Sequence, residues 1–136
     1  MNISVIIPVY NAAAYIEKAV TSALFHNEVK EVVVVNDGST DNSLAILQKL
    51  QQTDNRIKIY HHENNSNKGR SASRNLALQK ATQHFIAFLD VFPIAKGHTL
   101  IVPKKEIDYL LLMSLKALQS ILSENGITHL TATLCT

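Results

Sequence analysis

Several residue types are scarce in this sequence of 136 residues, which contains one cysteine, three prolines and no tryptophan. The one cysteine, Cys135, cannot form an intramolecular disulfide or a cysteine-based metal site, which suits a reducing compartment. A formal net charge of +2, from 13 basic and 11 acidic residues, is too small to indicate a polyanionic partner. With an aromatic content of 6%, these absences argue against a nucleic-acid-binding protein.

Long apolar runs are scarce as well. The N-terminal apolar run follows no basic segment and stops at Pro8, so it predicts a strand and not a signal peptide. The apolar stretch 109–118 is shorter than the roughly 20 residues that span a bilayer as a helix. We therefore expect a cytoplasmic protein, a location that includes the periphery of the inner membrane.

The sequence does contain a regular alternation of apolar strands and amphipathic helices. Runs of β-branched residues at Ile3–Val9 and 32–35 predict strands that are buried on both faces. Further strands are predicted at 56–61 and 84–89, with helices at 12–25, 41–52 and 70–83. Because such a βαβ series requires parallel strands, the predicted fold class is α/β, with an open, mostly parallel sheet.

The residues after Asp90 follow a different pattern. They predict a strand at 99–102, a helix at 104–123 that begins after Pro103, and a last strand at 127–134. The helix is apolar around more than one face, so it requires burial against the open sheet or through self-association. We therefore divide the chain into a domain of residues 1–90 and a tail of residues 91–136 that is foreign to the domain or truncated.

Polar residues follow the predicted strands in the segments 8–11, 36–41 and from Asp90 onward. Ligands of open parallel sheets bind outside the carboxyl ends of the strands, so these segments are expected to converge on one site. Local turn chemistry explains some of the same residues. Asp37 alone fits an Asx-turn as well as a binding role, and Asn11, Ser39 and Asp41 are predicted to cap the helices that follow them.

Four segments resemble the family 2 glycosyltransferases, which have the Rossmann-like GT-A fold, in the family's order and spacing. They are SVIIPVYN at 4–11, VVNDGSTD at 34–41, NKG with SRN in 67–75, and FLD at 88–90. The resemblance implies that the protein binds a UDP- or GDP-type nucleotide-diphospho-sugar and transfers the sugar to a saccharide or lipid-linked acceptor. It also implies Mn²⁺ or Mg²⁺, which would offset the charge of the leaving diphosphate.

The resemblance extends to individual residues. It implies that Asp37, beside Gly38, accepts a hydrogen bond from the base, that residues 8–11 enclose the base and ribose, and that Asp90 binds the metal. The nucleotide-sugar-binding residues implied are Pro8, Val9, Tyr10, Asn11, Asp37, Gly38, Lys68, Arg74 and Asp90. The family's Asp-x-Asp signature is incomplete because Val91 and Phe92 follow Asp90, and no later residue matches the catalytic base, so the catalytic residues stay unassigned.

A second resemblance overlaps the end of the first. Residues 86–110, with Gly-His-Thr-Leu at 97–100 and Pro-Lys at 103–104, resemble the middle of the histidine triad family of nucleotide hydrolases and transferases. None of the six histidines lies in the His-x-His-x-His run on which that chemistry depends. The sequence thus favours a truncated glycosyltransferase-like protein. The alternatives are a nucleotide-binding or fusion protein without activity, and a histidine triad remnant.

Overall fold

The structure is a computed structural model that describes residues 1–89 and 99–104. The predicted metal ligand Asp90, almost all of the predicted helix 104–123 and the predicted strand 127–134 lie outside the described residues. A short 3-10 turn at Glu63–Asn65 precedes the third helix. The main elements are β1 (Ile3–Val9), α1 (Ile16–Leu24), β2 (Val29–Asn36), α2 (Ser43–Thr53), β3 (Ile57–His61), α3 (Arg70–Lys80), β4 (Phe85–Leu89) and β5 (Thr99–Pro103).

The strands form one sheet in the order β3-β2-β1-β4-β5. Strands β1 to β4 are parallel, and β5 pairs with β4 in the antiparallel direction. This confirms the predicted α/β class with a mostly parallel sheet. The strand predicted at 99–102 is β5, which stands at one end of this strand order. Because β2 and β4 lie on opposite sides of β1, the chain reverses its winding direction there, which is where open sheets of this type bind ligands.

Apolar residues of β1 and β2 form the centre of two packing layers. On one face, Ile7 packs with Ile16 of α1 and Leu47 of α2. On the other face, Ile6 packs with Ala77 of α3. Burial on both faces explains why these strands are continuous runs of β-branched residues. Beyond these two layers, the loops that follow β1 and β2 lie next to each other at the carboxyl end of the sheet.

The capping predicted for α1 is wrong. This helix begins at Ile16 and no side chain caps it, whereas Asn11 has a left-handed backbone conformation with φ of 47°. The Asn11 Oδ1 atom accepts hydrogen bonds from the backbone of Thr40 (2.8 Å) and Asp41 (3.3 Å). Backbone N–H groups of the β2–α2 loop thus bind the Asn11 side chain, so this side chain does not cap α1.

The capping predicted for α2 is also wrong, since Asn42 is the residue before this helix and no side chain caps it. The Asp41 Oδ1 atom accepts a hydrogen bond of 2.9 Å from the backbone of Ser43, the first residue of α2. The Ser39 hydroxyl instead accepts a 3.1 Å hydrogen bond from the backbone of Asn11, so Ser39 joins two loops. The third helix, α3, ends at Lys80, three residues earlier than predicted.

Polar groups also close the amino end of the sheet. The Glu31 side chain, in a residue that is 7% exposed, accepts hydrogen bonds of 2.5 Å from the Ser4 hydroxyl and the Thr82 backbone. These bonds join β1, β2 and the loop before β4. No helix in the described part of the chain is long and apolar enough to cross a membrane.

Candidate functional site

A cavity of about 280 Å³ lies at the carboxyl ends of β1 and β2. Its volume is close to the lower limit, roughly 300 Å³, of small-molecule sites, so it suits one part of a larger ligand. Three segments that are distant in sequence meet there. The meeting of segments 8–11 and 36–41 agrees with the prediction, but the third segment is 67–70, and the predicted segment from Asp90 to residue 98 lies outside the described residues. The lining residues are Pro8, Val9, Tyr10, Asp37, Asn67, Gly69 and Arg70.

Asp37 is the buried carboxylate of this cavity, with 3% of the residue exposed. Its Oδ1 accepts a 2.7 Å hydrogen bond from the Lys68 backbone, and its Oδ2 accepts a 3.0 Å hydrogen bond from the Gly69 backbone. The carboxylate therefore fixes the loop before α3. Since a carboxylate has about four lone-pair directions, these two bonds leave acceptor capacity for a ligand.

Gly38 allows the loop before α3 to come this close. Its φ of 72° lies in the left-handed region, and a Cβ atom added to it would lie 2.8 Å from the Asn65 carbonyl oxygen and 3.0 Å from the Asn67 nitrogen. A larger residue would meet backbone atoms on that side. Glycine at position 38 is thus required by both conformation and space.

The first segment, 8–11, is divided between two tasks. The half-buried Pro8 and the buried Val9 form part of the cavity wall, and Tyr10, which is 49% exposed, lies at its rim. Asn11 is not one of the lining residues. It supports the site indirectly, because its side chain joins the β1–α1 loop to the β2–α2 loop.

Asp41 reinforces the same junction. Its Oδ2 accepts a 3.1 Å hydrogen bond from the Ala13 backbone, while Oδ1 accepts the bond from Ser43. Burial raises the pKa of Asp41, but the hydrogen bonds from Ser43 and Ala13 outweigh this effect and hold the pKa below its ordinary value. Hydrogen bonds thereby join the β1–α1 loop to the β2–α2 loop beside the cavity.

The structure brings a different basic residue to the cavity from those predicted. Lys68 contributes its backbone N–H to Asp37, but its side chain is exposed and does not line the cavity; nor does that of Arg74, within α3. Arg70, the first residue of α3, lines it instead. The sequence signal that could have identified Arg70 is its position directly after Gly69, at a predicted helix start. Asn67 also lines the cavity, and it belongs to the NKG segment that carries the family resemblance.

A divalent cation such as Mn²⁺ or Mg²⁺ requires several ligands, chiefly carboxylate and other oxygen atoms. Among the described residues, no group of three or more His, Cys, Asp or Glu side chains could hold a metal ion. The carboxylate that lines the cavity, Asp37, already accepts backbone hydrogen bonds on both oxygens. Residues 1–89 and 99–104 therefore do not fit a metal site, and the metal ligand predicted from the sequence, Asp90, lies outside them.

Comparison with known families gives two matches. The family model named Glycosyl transferase family 2 matches residues 4–91. The chain belongs to this family. A second model, the HIT domain, matches residues 77–132, which overlaps the first match and includes the segment resembling histidine triad proteins.

Curated relatives match the same part of the chain. An uncharacterized glycosyltransferase of Haemophilus influenzae is 38% identical over 89 residues, which are 65% of this chain and 35% of that protein. The putative teichuronic acid biosynthesis glycosyltransferase TuaG of Bacillus subtilis is 43% identical over 89 residues, 65% of this chain and 34% of that protein. The chain thus spans about a third of the length of these relatives.

Solved structures of glycosyltransferases share the fold. TarS 1–349 of S. aureus, in complex with UDP-GlcNAc, has a TM-score of 0.59 and 38% identity and covers 67% of this chain and 26% of its own. The mannosyltransferase PcManGT of Pyrobaculum calidifontis, in complex with GDP-Man and Mn²⁺, has a TM-score of 0.59 and 25% identity, with 66% of this chain and 27% of its own covered. Both likenesses support the GT-A architecture predicted from the sequence.

Proposed function

We propose that the carboxyl-end cavity of this family 2 member binds the nucleotide part of a UDP- or GDP-type sugar donor. The observation that carries this proposal is the buried Asp37 carboxylate, which lines the cavity and retains acceptor capacity. A carboxylate that is fixed by two backbone donors is matched by a ligand N–H. Uracil and guanine both present such an N–H group on the edge of the base.

The diphosphate is assigned to the α3 side of the cavity. Arg70 lines the cavity at the start of α3, and no acidic residue lies in the first turn of this helix. The positive end of a helix and a guanidinium group both favour an anion. A base at Asp37 and a diphosphate at Arg70 would place a nucleotide across the loop 67–70.

Two structural neighbours support this class of ligand, since TarS is in complex with UDP-GlcNAc and PcManGT with GDP-Man and Mn²⁺. Transfer of the sugar to a saccharide or lipid-linked acceptor is part of the proposal for this chain. So is a divalent cation, for which Asp90 is the proposed ligand. The catalytic base is unassigned, and the cytoplasmic location and self-association through residues 104–123 stay predictions, as does the division into residues 1–90 and 91–136.

The first test is a binding experiment on the full chain with UDP and GDP, each with and without Mn²⁺, by calorimetry and thermal unfolding. One of the two nucleotides is expected to raise the melting temperature, because a ligand at 100 times its Kd stabilises a fold by about 2.7 kcal/mol. Arg70→Gln is expected to weaken that binding about tenfold, the effect of losing one charged hydrogen bond. Asp90→Ala is expected to remove whatever gain Mn²⁺ provides.

Lys18→Gln is the matched control. Lys18 is an exposed residue of α1 that does not line the cavity, and its substitution removes the same charge. The proposal is wrong if neither nucleotide binds, and the assignment of the diphosphate is wrong if Arg70→Gln and Lys18→Gln weaken binding equally.

The second candidate function is nucleotide binding without sugar transfer. The observation in its favour is Val91 and Phe92 in place of the further carboxylate of the Asp-x-Asp signature. Release of UDP or GDP from the sugar nucleotide, measured with purified protein and Mn²⁺, separates the two candidates. Sustained turnover supports the transferase, whereas tight binding with no release supports the binding protein.

A further inference from the structure

His62 contacts the candidate site from behind Asp37. It follows β3, and its side chain is 12% exposed. Its Nε2 atom lies 2.9 Å from the Ser73 hydroxyl and 3.5 Å from Oδ1 of Asp37. Three segments therefore meet at one nitrogen atom: the end of β3, the loop after β2, and α3. The neighbouring His61, in contrast, is the exposed last residue of β3.

The two backbone donors of Asp37 belong to one loop, at Lys68 and Gly69. Gly69 is the residue directly before α3, and the Asp37 backbone N–H donates a 2.7 Å hydrogen bond to the carbonyl group of Val9 in β1. Ser73 is fully buried in α3, which packs on β1 and β2. His62 lies between Ser73 and Asp37 and so adds a contact to the carboxylate from the end of β3.

We propose that His62 is a positioning residue for nucleotide recognition, which, held by Ser73, orients the Asp37 carboxylate toward the base. This inference rests on the proposed nucleotide-binding function. With the ring hydrogen atom on Nε2, its partial positive charge faces both the Ser73 hydroxyl and the Asp37 carboxylate, and this favours the carboxylate position seen here. At 3.5 Å the contact with Asp37 is electrostatic rather than a short hydrogen bond.

The same geometry excludes a serine-hydrolase role for these three residues. In a catalytic triad the serine and the carboxylate contact different ring nitrogens of the histidine, whereas here both lie near Nε2. Ser73 is also fully buried and does not line the cavity. His62 therefore acts through Asp37 and touches no reacting atom.

The test measures base selectivity in the full chain. Affinities for ADP and for the preferred nucleotide, UDP or GDP, are compared in wild type, His62→Leu and His62→Gln. At the ring position where uracil carries N3–H and guanine carries N1–H, adenine has a nitrogen without a hydrogen atom, so ADP affinity is expected to depend less on Asp37. Because the lost contact is electrostatic, we expect His62→Leu to reduce selectivity by no more than about tenfold, the upper value for one neutral hydrogen bond, and His62→Gln, which keeps a donor, to recover most of it.

His61→Leu is the matched control and is expected to leave selectivity unchanged. Should His62→Leu fail to fold, Ser73→Ala takes its place, because it removes the anchor and leaves the histidine intact. Unchanged selectivity in His62→Leu or Ser73→Ala overturns this inference while leaving the binding function intact. An equal loss for ADP and the preferred nucleotide also overturns it, since that indicates general damage. Absence of any nucleotide binding in wild type defeats the proposed function itself, and this inference with it.

Discussion

The two ends of the parallel sheet each contain a buried carboxyl group that joins separate segments of the chain. At the amino end, Glu31 is 7% exposed, and at the carboxyl end, Asp37 is 3% exposed. Each accepts two hydrogen bonds of 2.5 to 3.0 Å from neighbouring segments. Both buried carboxyl groups are thus hydrogen-bonded, as buried polar side chains usually are.

The difference lies in what surrounds them. Glu31 receives both hydrogen bonds on one oxygen, Oε1. It lines neither the carboxyl-end cavity nor a second cavity, of about 460 Å³, that lies beside Ile3 and Ala23. Asp37 receives one bond on each oxygen and lines the carboxyl-end cavity. Burial and hydrogen bonding alone therefore do not identify a binding residue. Adjacent space for a ligand separates the candidate site from a structural junction.

The largest expected effect tests the amino end. Glu31→Ala would leave the Ser4 hydroxyl and the Thr82 N–H without their acceptor, and we expect it to lower the free energy of unfolding by about 3 kcal/mol. Glu31→Gln keeps one oxygen and is expected to cost less. Urea unfolding of the three proteins measures the loss. Nucleotide affinity of the folded Glu31→Gln variant should equal that of wild type, and a loss of affinity there would break the distinction between the two ends.

The second prediction tests the carboxyl end. Gly38→Ala would place a Cβ atom 2.8 Å from the Asn65 carbonyl oxygen at a residue with φ of 72°, and we expect a loss of about 2 kcal/mol in unfolding free energy. Because the loop before α3 must move, nucleotide binding should weaken as well. Unfolding and nucleotide titration of the same preparation check both effects.

Gly69→Ala provides the comparison for Gly38→Ala. Gly69 also has a positive φ, of 89°, but an added Cβ atom would meet nothing within 4 Å. Its φ of 89° and ψ of 166° lie in a region that is almost restricted to glycine, so Gly69→Ala is expected to cost about 2 kcal/mol through backbone conformation alone. A loss well below that of Gly38→Ala would show that the contact with Asn65, and not backbone conformation, is the main reason for glycine at position 38.

Much of this fold could be predicted from the sequence because its central strands are buried on both faces. Continuous β-branched runs specify such strands, and β1 was predicted at its observed bounds, Ile3–Val9. Helix starts were less predictable. Asn11 has the right chemistry for a cap, but donors 29 and 30 residues away satisfy it, and no local pattern indicates that competition.

The candidate site was predictable only where a residue is tied to a strand end. Asp37 directly follows β2, so the strand pattern places it at the carboxyl edge. Arg70 and His62 depend on how α3 and the loop before it face the cavity. Spacing along the chain does not determine that direction, which explains why Lys68 and Arg74 were predicted in place of Arg70.

The smallest expected effect concerns the ion pair between Asp54 and Arg56, which lies at the amino end of the sheet. Asp54 forms a two-pronged ion pair with Arg56, with its closest contact at 2.7 Å, and Arg56 also donates to the carbonyl groups of Leu24 and Val29 at 3.1 Å. The hydrogen bond from Arg56 lowers the pKa of Asp54 below its ordinary value of 3.8, against the opposing effect of burial. The side chain of Arg56 is 30% exposed and that of Asp54 is 23% exposed, so solvent screens the attraction between them.

We expect Asp54→Asn to lower the unfolding free energy at neutral pH by about 0.5 kcal/mol, the scale of partly exposed pairs, and to leave nucleotide affinity unchanged. Because the pKa is lowered in the folded state, this contribution is present above the unfolded pKa of 3.8 and is lost as the pH falls through the folded pKa. Urea unfolding of wild type and variant should therefore converge in acid. A difference that persists there would mean that the substitution acts through packing instead of charge, while a change in nucleotide affinity would show that the two ends of the sheet are coupled.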